Sequence, residues 1–158
     1  MKIDQWDEEL KKFVHLANEN GVRILMVGGG AVNFHGYQRH SADVDFWLDI
    51  SDENLKKLIT VFQKMGYDIN DFPTEVKSGQ QNISLKFSPA VLDVELITKF
   101  AIGKTFDEAY HEAEEITVKD QLLLKWKVLN FEDLIESKKR SARPKDLLDI
   151  QELTKRNQ

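Results

Sequence analysis

The sequence predicts an α+β (α/β) fold: a mixed, mostly antiparallel sheet of about five strands, covered on one side by helices, with further helices at the C-terminus. Three observations predict it. Short apolar runs of strand length, such as Val22 to Val27, alternate with longer stretches whose apolar residues recur at helical spacing. Leu124, Trp126 and Val128 alternate with Lys125 and Lys127, the period of a half-buried strand. A chain of 158 residues buries one substantial core and falls short of two. A single domain is therefore expected over 1–158, with its core at about 22–129 and a helical segment at about 130–155.

Each element has its own signal. Asp4 can cap a first helix, in which Leu10, Phe13, Val14 and Ala17 form one face and Asn20-Gly21 the stop. Val22 to Val27 reads as a buried strand. Gly28 to Gly30 turns the chain into a short helix, Ala31 to His35, ended by Gly36, and Val44 to Ile50 forms a second strand. Ser51 or Asp52 caps the next helix, with Leu55, Leu58, Ile59 and Phe62 on one face and Gly66 at its end. From Tyr67 to Gln81 the composition turns polar around Pro73 and Gly79, which predicts an irregular stretch or a short strand and loop. Two strands follow, Asn82 to Phe87 and Val91 to Ile97, joined by Ser88-Pro89-Ala90. A hairpin then turns at Lys119 to Gln121. Asn130 caps a helix from Phe131 to about Lys139, and Pro144 starts a last helix carrying Leu147, Leu148, Ile150 and Leu153. Phe46, Trp47 and Trp126 are expected to pack in the core or on the sheet faces.

Composition removes several classes of function. A net charge of −5 argues against general DNA binding, because a surface that tracks a phosphate backbone carries a basic excess. A local basic cluster remains at Lys138 to Arg143. With no cysteine there is no disulfide framework and no thiolate metal site, in keeping with a reducing cytoplasm. Met1 to Glu9 is polar and acidic, unlike a signal peptide, and no apolar run approaches the roughly 20 residues that span a bilayer. The expectation is a soluble cytoplasmic protein.

The chemistry concentrates in "MVGGGAVNFHGYQRHSADVDFWLD", residues 26–49. Three glycines, Gly28, Gly29 and Gly30, follow an apolar run, but Val32 and Asn33 break the spacing of G-x-G-x-x-G and no G-K-[ST] follows. Asp43 and Asp45 lie two apart on a strand, so both carboxylates face one surface. The layout recurs in "VLDVELI" with Asp93 and Glu95. Several uncompensated carboxylates on one face resist burial unless the face is solvated or a cation sits among them. Oxygen donors without neighbouring thiolates select Mg²⁺ or Mn²⁺. His35 and His40 flank the motif but show no metal-binding spacing, and a lone histidine is ordinarily a polar surface residue.

The stretch "VGGGAVNFHGYQRHSADVDFWL" resembles the signature of the DNA polymerase beta-like nucleotidyltransferase superfamily: apolar strand, Gly-Gly turn, short helix, then Asp-apolar-Asp, with a third acid on a later strand. Arg39, Ser41, Asp43 and Asp45 match an Arg-x-[Ser/Thr]-x-Asp-apolar-Asp form of small bacterial members. "FEDLIESKKRSARPKDLLDIQEL" resembles the tail of such proteins, including minimal nucleotidyltransferases and those of toxin–antitoxin and abortive-infection systems. The resemblance implies that backbone N–H groups at Gly29 and Gly30 hold the phosphates of an NTP, ATP first among them. It implies that Asp43 and Asp45 hold Mg²⁺ or Mn²⁺, and that a third carboxylate draws the proton from an acceptor hydroxyl. Asp93 fits that third position by its apolar neighbours Leu92 and Val94, and Glu95 on the same face is the alternative. Ser41 either bonds a phosphate oxygen or shapes the turn, and Arg39 either contacts phosphate or forms a surface salt bridge. Lys138, Arg143 and Lys145 either close one side of the nucleotide cleft or belong to a solvated charge run. Two functions stay open: a nucleotidyltransferase acting on a small molecule, a protein or an RNA end, and an antitoxin-like nucleotide-binding or partner-binding module without turnover.

Overall fold

Several helices of this chain begin where a side chain satisfies one of the first free backbone N–H groups. In the computed structural model, which describes residues 6–41, 43–86 and 93–158, helix α1 spans Glu8–Glu19. Its cap is Asp7, whose carboxylate accepts from Leu10 N at 2.8 Å; Asp4, the expected cap, lies outside the described residues. Strand β1 (Ile24–Val27) runs directly into α2 (Gly28–Phe34), so the three glycines form the first turn of the helix instead of a turn before it. Strand β2 (Asp43–Leu48) leads to α3 (Asp52–Lys64), capped by the Ser51 hydroxyl. The polar stretch expected to be irregular contains a single helical turn, α4 (Thr74–Lys77), seated after Pro73.

Strands β3 (Ile83–Leu85) and β4 (Asp93–Ile97) follow, and the connection expected at Ser88-Pro89-Ala90 lies outside the described residues. Helix α5 (Phe106–His111) was not anticipated, although Thr105 and Glu108 form the reciprocal capping box that a Thr-x-x-Glu spacing specifies. The hairpin is β5 (Glu114–Lys119) and β6 (Leu123–Val128). Asn130 caps α6 (Phe131–Ser141) as expected, and α7 (Pro144–Arg156) starts with its proline in the first turn.

Among the described residues six strands form one sheet in the order β3-β4-β2-β1-β6-β5, against the expectation of about five. Pairings β1–β2, β3–β4 and β5–β6 are antiparallel, whereas β1–β6 and β2–β4 are parallel. One face carries Val44, Phe46, Val94 and Leu96, all buried. It is covered by α1 and α3, with the Phe13 ring 6.4 Å from Phe46 and 6.3 Å from Phe62. Trp126 of the same face packs on Trp6 at 4.9 Å. The opposite face is divided. At one end Trp47 is buried under Phe100 and Phe106, at 5.2 and 5.1 Å. At the other end lie the acids of β2 and β4, and there the sheet is left accessible, with Asp43 exposed.

Candidate functional site

Strand alternation builds the acidic part of the site. Because Val44, Phe46 and Leu48 must point into the core, Asp43, Asp45 and Trp47 point to the other face, and β4 does the same with Asp93, Glu95 and Ile97. The parallel register pairs Asp43 with Asp93 and Asp45 with Glu95, and partners on adjacent strands share a face. Four carboxylates therefore stand side by side. The consequence is visible at Asp45, whose carboxyl is pushed up to about 6 by burial first, then by the charges of Asp43 and Glu95, while Lys138 and Lys145 pull it back. Glu95 is steadied by Ser84 on β3, whose hydroxyl lies 2.6 and 2.8 Å from its two carboxylate oxygens. Among the described residues no three acids or histidines are drawn close enough together to enclose a metal ion. The donor set itself, oxygen only and mutually repelling, suits a hard divalent cation.

The glycines have a steric explanation. Gly28 has φ +60°, a conformation disfavoured for any residue with a side chain, and a Cβ on it would stand 2.5 Å from Asp45 Oδ2. A Cβ on Gly29 would meet Ser41 Cβ at 2.7 Å, and one on Gly30 would meet Met26 Sδ at 2.9 Å. The left-handed residue of the three is Gly28, and close packing against β1, β2 and the loop before β2 accounts for glycine at each position. Ser41 also donates to its neighbour's backbone, Asp43 O, at 2.9 Å, a turn-shaping bond. Val27 caps α2 with no side-chain hydrogen bond, so no side-chain cap closes the start of the helix beside Asp45.

The cations come from three segments and meet on α7. Arg39, in the loop before β2, donates from Nε to Asp149 Oδ1 at 2.8 Å and from Nη2 to Oδ2 at 3.0 Å. This fork-to-carboxylate pair is no surface salt bridge, since Asp149 is 1% exposed. Lys138 of α6, itself only 6% exposed, bonds Asp149 at 3.0 Å and Asp146 at 3.3 Å. Arg143 closes on Asp146 at 2.7 and 3.2 Å. Burial pushes the Asp146 carboxyl up, but hydrogen bonds from the Arg143 side chain and backbone, together with Lys138, outweigh it and hold the group below the usual carboxylate range. The same contact raises the Arg143 guanidinium. Lys145 is exposed, has no hydrogen bond or ion pair among the described residues, and acts on Asp45 through its charge.

The structure therefore sets Asp43, Asp45, Asp93 and Glu95 on one face of adjacent strands, and Lys138 and Lys145 of the α6–α7 hairpin act on Asp45 through their charge. Of the four apolar residues read on this helix, Leu147 and Leu148 are 54% and 48% exposed, while Leu153 turns inward together with Asp146 and Asp149. Asp149 was missed. Its signal was the helical spacing of Asp146, Asp149 and Leu153, a buried stripe in which carboxylates take the places of apolar residues. His35 is half-buried and structural: Nε2 donates to Leu129 O at 2.8 Å and the ring packs against Phe34 and Phe131. His40 is exposed.

No helix among the described residues is long and apolar enough to cross a membrane. No curated protein matches the chain. A protein family does, over residues 7–158, a span holding the glycine turn, the four sheet acids and the whole α6–α7 hairpin. By that match the chain belongs to the family described as "Nucleotidyl transferase of unknown function (DUF2204)".

Proposed function

We propose that this chain is a metal-dependent nucleotidyltransferase, which moves a nucleoside monophosphate from an NTP, ATP in the first instance, to a hydroxyl of an acceptor. One observation carries the reading: the register of Asp43 with Asp93 and Asp45 with Glu95, beside a helix start without a side-chain cap. Asp43, Asp45 and Asp93 are the residues to hold Mg²⁺ or Mn²⁺, with Glu95 adjoining. The cation, when bound, neutralises charge on the triphosphate and on the acids. Backbone N–H groups at Gly29 and Gly30 receive phosphate oxygens, with Gly28 leaving the approach clear. Lys145, Arg143 and Lys138 supply positive charge toward Asp45, and Arg39 is held on Asp149 of α7. The acceptor hydroxyl gives its proton to the Asp93 carboxylate as its oxygen bonds the α-phosphorus. The bond from that phosphorus to the bridging oxygen breaks in line, and pyrophosphate leaves.

Titration calorimetry with ATP tests the clamp. Tight binding is expected with Mg²⁺ or Mn²⁺ and weak binding in EDTA, and Asp43→Asn is expected to mimic the removal of metal. ATP binding equally tight in EDTA overturns the reading. A second reading, an antitoxin-like module that keeps the fold without turnover and binds a toxin or other protein partner, draws support from the exposed Leu147 and Leu148 on α7. Incubation with α-labelled ATP, Mn²⁺ and cell extract separates the two: transfer of label that is lost in Asp43→Asn favours the enzyme, and binding without transfer favours the module.

A further inference from the structure

We infer that Asp149 is a positioning residue: it fixes the Arg39 guanidinium beside Gly29, where the Nη1 edge that the carboxylate leaves free meets the triphosphate of the nucleotide. The inference rests on the function proposed above and gives a part in nucleotide binding to a residue that touches no substrate.

An arginine carries its N–H donors in a rigid fork at the end of a flexible stem, so what it binds depends on what holds the fork still. In Arg39 one edge of the fork is engaged: Nε donates to Asp149 Oδ1 at 2.8 Å and Nη2 to Oδ2 at 3.0 Å. The carboxylate is itself anchored. It lies inside the molecule on α7, 1% exposed, and the Lys138 ammonium grips it from another side at 3.0 Å. Two parallel bonds between planar groups fix the guanidinium in orientation as well as in place.

That orientation decides where Nη1 goes. Nη1 stands 3.7 Å from the point that a Cβ on Gly29 would occupy, alongside Ser41, whose hydroxyl donates to Asp43 O at 2.9 Å. The free edge of Arg39 thus lies between the glycine turn and the start of the strand that bears the acids. Among the described residues the one acceptor for Nη1 is His40 O at 3.3 Å, which leaves its second N–H unengaged. Charge is also left over. Arg39, Lys138 and Arg143 share the two carboxylates Asp146 and Asp149, an excess of one positive charge. The Arg39 side chain is 23% exposed and the Asp149 side chain 1%, so a phosphate oxygen reaches the guanidinium and not the carboxylate behind it.

The test is calorimetry on the full chain, with ATP in Mg²⁺ and separately with Mn²⁺ alone. Arg39→Gln is expected to weaken ATP binding by about 10- to 100-fold, the scale of a lost charge-assisted hydrogen bond. Asp149→Asn is expected to weaken it by about tenfold, the scale of groups that orient a binding residue from behind. Affinity for Mn²⁺ alone is expected to stay parental in both, because neither residue holds the metal. The decisive variant carries both changes: Asp149→Asn added to Arg39→Gln is expected to cost nothing further. A merely structural role for Asp149, or one exerted through Lys138, would add its own loss. Thermal midpoints taken alongside show whether each variant is folded. If either single variant does not fold, Arg39→Lys decides: it keeps the charge, lacks the fork that spans Asp149 and Gly29, and is expected to bind ATP about tenfold more weakly. Three results overturn the inference alone: a folded Arg39→Gln or Arg39→Lys with parental ATP affinity, an Asp149→Asn loss that persists in full beside Arg39→Gln, or Mn²⁺ affinity that falls in step with ATP affinity. A parent that binds neither ATP nor Mn²⁺ overturns the proposed function and this inference with it.

Discussion

The acids of the sheet and the acids of α7 are the same chemical groups in opposite circumstances. Asp146 and Asp149 are more deeply buried than any acid of β2 or β4, yet each is met by two cations, and Asp146 is held below the usual carboxylate range. Asp45 is only partly buried, but its neighbours Asp43 and Glu95 carry its own sign, and its carboxyl is pushed up to about 6. Burial alone does not distinguish a structural carboxylate from an available one. Compensation does, and the two sets differ in that respect.

The comparison can be broken by removing one member of each set. Asp149→Ala leaves Arg39 and Lys138 facing an emptied position in the interior and is expected to cost about 3–5 kcal/mol. Asp43→Ala, at an exposed position, is expected to change stability by no more than about 0.5 kcal/mol. Urea unfolding of both variants checks this, and equal losses would erase the distinction.

A smaller effect sharpens how the acidic side is mounted. Gly29→Ala places a Cβ against Ser41 and is expected to cost about 1–3 kcal/mol by overpacking. Ser41→Gly in the same chain removes the obstructing atoms and is expected to recover most of the loss. If the double variant also regains ATP affinity, the glycine serves packing; if it is stable but does not bind ATP, the glycine serves the phosphates as well.

The third test uses pH. A carboxyl whose folded pKa is raised favours the folded state when protonated, so that stabilisation is present below about pH 4 and is lost as pH rises through about 6. Asp45→Asn escapes the loss. After allowance for solvent screening, the variant is expected to be more stable than the parent by on the order of 1 kcal/mol at pH 8. The difference should vanish at pH 4, as thermal scans across the range will show. The least effect belongs to Ala142, which ends α6 with φ 52°; Ala142→Gly relieves that left-handed backbone and is expected to add about 0.5 kcal/mol. A gain there with Mn²⁺ affinity unchanged would separate the hairpin's geometry from its charges.

Much of the acidic side was legible beforehand, because a period of two decides the face of a strand residue without knowledge of its neighbours. Asp43 and Asp45 are of this kind, and so are Asp93 and Glu95. The register joining the two pairs was not legible, since strand pairing is a tertiary property. The α7 acids were obscured for a related reason. Helical spacing allows either Leu147 and Leu148 or Asp146 and Asp149 to face inward, and hydrophobicity favours the leucines until Arg39 and Lys138 are seen to supply the matching charges. Helix α5 had a visible capping box, but six residues give little periodicity to support it. The glycines were legible as necessary and not as to cause, because Ser41, Met26 and Asp45 approach them only in the folded chain.

The sheet order carries a consequence for how the molecule comes into being. Strand β1 pairs with β6 in parallel, Leu25 beside Lys127, a closure over about a hundred residues. During synthesis the strands that bear the acids, β2 and β4, leave the ribosome well before Lys138, Arg143 and α7 do. A nascent chain thus carries its sheet acids for some time without the opposing charges, and the two meet only when the last helix docks.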